Sequence, residues 1–226
     1  MLELVQQYNV LGAFWVTIQL TFWSAIGSVL IGTIVVIMRI SPAQSLQWAG
    51  ATFVNVVRNT PLTLIVLGAS LGLWGQLGVV LARQGTGEFI ATNNFRLAVL
   101  ALSVYHAAFV AEALRSGVNT VPLGQAEAAR SIGLGFGQSV GLVIMPQAFR
   151  GAIAPLGNTL IALIKNTTVA QAAGVAQAST IMATMIEFNA NMLTAIFMLF
   201  AIGFVIIVLP TGMLATYLSR KLRVAR

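Results

Sequence analysis

The first apolar run limits this chain more than any other feature. No charged residue occurs from Leu4 to Met38, and the apolar core of the run lies at about 11–38. A helix needs about 20 residues to cross the hydrocarbon of a bilayer, so this run can span it with length left over for tilt. The pattern then repeats, and the whole chain is 58% hydrophobic and 8% charged, with a mean hydropathy of +0.91. A soluble domain carries about 25% charged residues, so this one cannot cover a water-facing surface and belongs in a membrane. No basic stretch precedes the first run, which is also far too long for the apolar part of a signal peptide, so it is expected to remain as a span.

Apolar runs at about 11–38, 60–82, 97–114, 152–173 and 192–218 predict an all-α integral membrane protein with five transmembrane helices in one domain over 1–226. Five spans put the termini on opposite sides. With the carboxy terminus inside, Arg39, Arg58, Arg115, Arg130, Arg150, Arg220, Lys221, Arg223 and Arg226 are inside, and only Arg83 and Arg96 are outside. The positive-inside rule therefore predicts an outer amino terminus and a cytoplasmic carboxy terminus. It also makes the long polar break at 116–150 cytoplasmic.

Several chemistries are excluded. The net charge of +7 is spread singly between apolar runs, which marks loop orientation rather than a nucleic-acid surface. There is no cysteine and one histidine, so no metal-ligand cluster is expected. Asp is absent, so a hydrolytic triad lacks an acid, and no P-loop exists for ATP. No catalytic constellation and no cofactor site are expected in this chain.

The polar positions leave alternatives. Thr17, Gln19, Thr21 and Ser24 form a polar stripe that faces other helices, or simply make packing contacts. Residues 43–57 read as an interfacial helix or as an extension of the second span. Thr60 suits an N-cap with Pro61 at the first helical position, against a kinked continuous helix. Glu112 and Arg115 are three apart and suit an ion pair on one helix face. His106, in the third span, is either a packing residue or a group on the solute route. Lys165, deep in the fourth span, either meets a substrate carboxylate beside Asn158, Asn166 and Thr167, or snorkels outward or pairs with Glu187.

Within the break, Gly124 to Gly133 suits two to three helical turns. Ala126, Ala128 and Ala129 leave a slim surface, and Glu127 and Arg130 offer a charge pair. Gly133 and Gly135 supply a turn, and Phe136 to Gln147 suits a second short helix ended near Pro146. Two short helices at an angle form a knob suited to a groove on a partner, or simply a solvated loop.

The order Glu127-Ala128-Ala129, then Gly133, then Val143-Ile144-Met145-Pro146 resembles the E-A-A…G…I-x-L-P motif of ABC importer permeases. Arg58-Asn59-Thr60-Pro61-Leu62, Val121-Pro122-Leu123-Gly124-Gln125-Ala126-Glu127, Pro146-Gln147-Ala148 and Asn158…Lys165-Asn166-Thr167-Thr168 are similar to its polar amino-acid branch, most of all to glutamate-import permease subunits. The likeness covers nearly the whole chain. It implies a bacterial inner-membrane, multi-pass permease that forms half of a translocation path. Its implied partners are an ATP-binding cassette ATPase dimer holding the ATP, a second homologous permease, an extracytoplasmic solute-binding protein, an amino-acid substrate and membrane lipid. Gln125, Glu127, Ala128, Ala129, Gly133 and Pro146 would couple to the ATPase. An ion-coupled secondary transporter or channel is the alternative, but the expected intramembrane carboxylates and inverted repeats are not visible.

Overall fold

The computed structural model describes residues 2–222. Arg223 and Arg226, two of the bases used above for orientation, lie outside the described residues. Among the described residues every regular element is helical: α1 (Leu2–Gln7), α2 (Val10–Ile40), α3 (Gln44–Asn59), α4 (Leu62–Gln76), α5 (Phe89–Val118), α6 (Leu123–Ser131), α7 (Phe136–Gly151), α8 (Ile153–Ala173), α9 (Ala178–Phe188) and α10 (Ala190–Lys221). Helices α2, α5 and α10 are long and apolar enough to cross a membrane. The pairs α3–α4 and α7–α8 qualify only as bent units, with breaks of 105° and 64°. The chain therefore has three to five candidate spans.

The breaks have local causes. After α2, the Ser41 hydroxyl accepts from the Ala43 amide at 3.2 Å, and Pro42 prevents continuation. Pro61 forces the residue before it out of the helical region, so α3 stops at Asn59. Pro61, rather than Thr60, then occupies the cap position of α4 with an extended ψ of 133°, and no side-chain hydrogen bond caps it. That corrects the expected N-cap by one residue. The break itself is a sharp one, not a kink in a continuous helix.

Two span boundaries differ from the hydropathy reading. α4 passes into π-helical turns at Gly68–Gln76 and ends about six residues before the expected limit of 82. Gly68, Gly72 and Gly75 weaken those turns, and Gly78 leaves the helix at φ +65°. α5 begins at Phe89 instead of 97, because polar residues that precede the third apolar run do structural work inside it. The buried Asn93 accepts from the Leu81 amide at 2.8 Å, and the Arg96 guanidinium donates to the Leu81 carbonyl. A local pattern cannot show that partner.

The described parts of the chain form two compact units. One gathers those of Met1–Gly27, Thr60–Ser103 and Ala162–Pro210. Its core is Val10, Ala178, Met185, Ile196 and Phe200. Phe14 stacks on Phe200 at 5.5 Å, in space left by Gly203, where a Cβ would lie 2.2 Å from the Phe14 ring. The other unit gathers those of Ser28–Asn59, Val104–Ile161 and Thr211–Arg226. Val36, Val110 and Leu114 of the long helices share a core there with Val140, Met145 and Ala152. The polar break is thus seated on the ends of α2 and α5 by close packing, the main source of helix association once apolar surface has lipid as its alternative.

Candidate coupling site and solute path

The knob foreseen in the break is present, with a different second half. α6 follows Pro122, whose carbonyl accepts from Gln125. At its end Gly133 sits at φ +86°; its amide donates to Arg130, and the Leu134 amide donates to Ala129. This is a Schellman cap, and it needs a residue that tolerates the left-handed region. A Cβ at Gly133 would meet nothing within 4 Å, so φ, not space, is the constraint.

α7 does not end near Pro146. It runs through the proline to Gly151, with π-helical turns at Val140–Ile144. The wider turn relieves the clash that proline makes in an α-helix interior, and the Gln147 side chain donates from Nε2 to the Val143 carbonyl at 2.8 Å. The base of the knob is anchored by glycine. A Cβ at Gly117 would lie 2.1 Å from the Ala148 carbonyl oxygen, and one at Gly151 would lie 2.4 Å from the Thr120 hydroxyl.

Of the six expected coupling residues, Gln125, Glu127, Ala128, Gly133 and Pro146 are exposed, and Ala129 is buried against the rest of the knob. Glu127 makes no ion pair with Arg130 among the described residues, so that expected pairing is absent and the carboxylate points free of local partners. Leu123 and Ile132, at the two ends of α6, are 82% and 78% exposed. Large apolar side chains held open around an exposed carboxylate suit a protein partner better than water.

The expected solute-path residues divide. Asn158 and Lys165 are exposed; seven apart on the continuous helix Ile153–Asn166, they share its face. Asn158 lines a cleft of about 230 Å³ with Gly212, Thr216 and Ser219. No ion pair joins Lys165 to Glu187 among the described residues. Asn166 is half-buried. Thr167 is fully buried and donates to the Ile164 carbonyl at 2.6 Å, tightening the 3-10 turn Thr167–Ala173. His106 is buried, its ring edge-on to Tyr105 at 5.1 Å.

Sequence reasoning missed three contacts. Glu112 pairs with Arg39, 73 residues away, and not with Arg115. Arg39 is the more enclosed guanidinium, so it has more need of a counter-charge, while exposed Arg115 keeps access to its own solvation. Arg58 lies over the Phe109 ring at 5.6 Å. Buried Gln177 donates to the Thr168 carbonyl and to the Ser179 hydroxyl, fastening the turn after Lys165 to the start of α9. The signal for the last was present in Gln177 and Ser179, the N-cap and second residue of an otherwise apolar helix. Thr17, of the early polar stripe, is buried and accepts from the Ala178 amide at 3.2 Å; Ser24 is also buried.

A bent, all-helical chain with apolar spans and a capped knob between them fits a membrane permease, and the comparisons show the family. Residues 28–224 match the family described as the binding-protein-dependent transport system inner membrane component. The chain is 55% identical over 218 residues to the glutamate transport system permease protein GluC of Corynebacterium efficiens, covering 96% of each. It is 31% identical to the glutamate/aspartate import permease protein GltK of Escherichia coli, covering 91% of this chain and 90% of that one. A solved amino acid ABC transporter crystal structure matches with TM-score 0.79 at 25% identity, covering 97% of each chain. The chain belongs to this family of ABC importer permeases. It is a membrane subunit and not an enzyme; ATP hydrolysis in such systems belongs to a partner.

Proposed function

We propose that this chain is one permease subunit of an ATP-driven amino-acid importer, with glutamate as the substrate. Its single permease domain crosses the bacterial inner membrane five times, with the amino terminus outside and the carboxy terminus in the cytoplasm. It pairs with a second, homologous permease. An extracytoplasmic binding protein delivers solute, and an ATPase dimer binds the knob; no cofactor is held by the chain itself. The glutamate assignment rests on the names of GluC and GltK.

The observation that carries the coupling role is exposed Glu127 flanked by exposed Leu123 and Ile132, in a knob whose second helix is fixed to the end of α5 at Gly117 and Gly151. Gln125, Ala128 and Gly133 complete the docking surface, with Ala129 and Pro146 supporting it. A rigid knob of this kind transmits closure of the ATPase pair to the spans. Lys165 offers a cation to a substrate carboxylate, with Asn158 on the same helix face and Asn166 adjacent; Thr167 shapes the turn, and buried His106 packs against Tyr105 and Phe109 of its own helix.

The test is co-purification with the ATPase followed by ATP-dependent glutamate uptake in vesicles. Glu127→Lys should weaken ATPase binding by about 30-fold, the scale of a lost charge-assisted contact, and abolish uptake while membrane insertion is unchanged. Uptake that persists without any ATPase chain would overturn the reading.

A further inference from the structure

A cavity of about 370 Å³ is lined by residues from the end of α2, from α3 and from the end of α5. Arg39 and Arg115 bring two guanidiniums to it, Gln47 and Asn55 two amides, Thr52 a hydroxyl and Trp48 an indole. Among the described residues no carboxylate lines it. The acid paired with Arg39 is Glu112, so the group as a whole keeps one net positive charge.

The cationic side is built. Gly50 lies against the stem of Arg39, where a Cβ would come 2.8 Å from the Arg39 Cγ, and Glu112 holds the head. Gln47 is oriented by donation from Nε2 to the Ser41 carbonyl at 2.7 Å. Arg115 is exposed and makes no ion pair among the described residues. Two planar guanidiniums with amide and hydroxyl groups beside them suit the oxygens of a phosphate.

The position of the cavity at the ends of two apolar helices bears on the source of that phosphate. Arg39 is the penultimate residue of the 31-residue helix α2, and Arg115 lies in the last turn of the 30-residue helix α5. Both guanidiniums therefore stand where an apolar span gives out, at the level of lipid headgroups. Trp48, 71% exposed, adds the amphipathic ring favoured at that level. A free phosphate would gain nothing from an open indole, whereas a lipid places glycerol and chain carbons against it.

We propose that this cavity binds the phosphate of an anionic phospholipid. The test is native mass spectrometry of the full chain titrated with phosphatidylglycerol, with phosphatidylcholine as zwitterionic control and inorganic phosphate as free-anion competitor. Phosphatidylglycerol should bind about tenfold more tightly than phosphatidylcholine, the scale set by one or two arginines near a membrane surface. Arg115→Gln should remove most of that preference, Arg115→Lys should restore part of it, and millimolar phosphate should not displace the lipid. Asn55→Leu, which fills the cavity from an exposed position without touching an arginine, should weaken binding as well and serves if Arg115→Gln fails to fold. Equal binding of the two lipids, or an unchanged preference in folded Arg115→Gln and Asn55→Leu, would overturn the proposal. Displacement by inorganic phosphate would also overturn it, by making the site one for a free anion.

Discussion

Helices α6 and α8 depart from their surroundings in opposite senses. α6 lies in the longest polar break of the chain yet exposes the large apolar side chains Leu123 and Ile132. α8 lies in an apolar run yet exposes Asn158 and Lys165 along one face. In a polar segment, held-open apolar groups have water as their alternative and gain by burial against a partner. In an apolar segment, an exposed amide and ammonium have lipid as their alternative and gain by meeting water, another polar chain or a solute. The contrast teaches that the informative residue is the one at odds with its neighbours, and that the sign of the mismatch names the kind of partner.

The contrast is broken most severely at its rigid side. Gly117→Val should force the end of α5 away from the Ala148 carbonyl and displace the knob, costing about 3 kcal/mol as an overpacked contact. Thermal unfolding in detergent should show the lower midpoint; an unchanged midpoint would mean the knob is not anchored at this crossing. Lys165→Gln sharpens the other side. It should raise the half-saturating glutamate concentration about tenfold, the value of one charge-assisted hydrogen bond, while ATPase binding stays at the wild-type level. Unaltered uptake kinetics would remove Lys165 from the solute path. The smallest effect belongs to Gly133→Ala. There is room for the methyl, so only the left-handed backbone is penalised, by about 1 kcal/mol. A loss several times larger would show that Gly133 is needed for more than its turn.

Much of this was legible from local pattern. The apolar runs located α2, α8 and α10 closely, because the bilayer sets a minimum length that few other structures need. The glycine after Arg130-Ser131-Ile132 announced the end of α6, since few other residues accept that φ. The errors share a cause. Pro146 looked like a terminator, but π-helical turns at Val140–Ile144 absorb it. Asn93 and Asn94 lie before the third apolar run at 97–114, but they are buried in α5, and Asn93 holds the backbone of Leu81. Glu112 looked like the partner of Arg115, but Arg39 reaches it from another helix. Each was judged against neighbours within one turn, while the deciding group lay elsewhere or the backbone relaxed in a way composition does not record.

By itself, the sequence determined that this chain belongs in a membrane and that a small-residue helix with Glu127 stands outside the spans. Those follow from transfer free energies and residue chemistry, which belong to each segment alone. Only the tertiary structure decided which charges pair, which polar residues are buried, and that Arg39 and Arg115 line one cavity. Such outcomes depend on which helix ends lie together, and that is set by close packing at Gly50, Gly117 and Gly151, where the absence of a side chain lets two backbones approach.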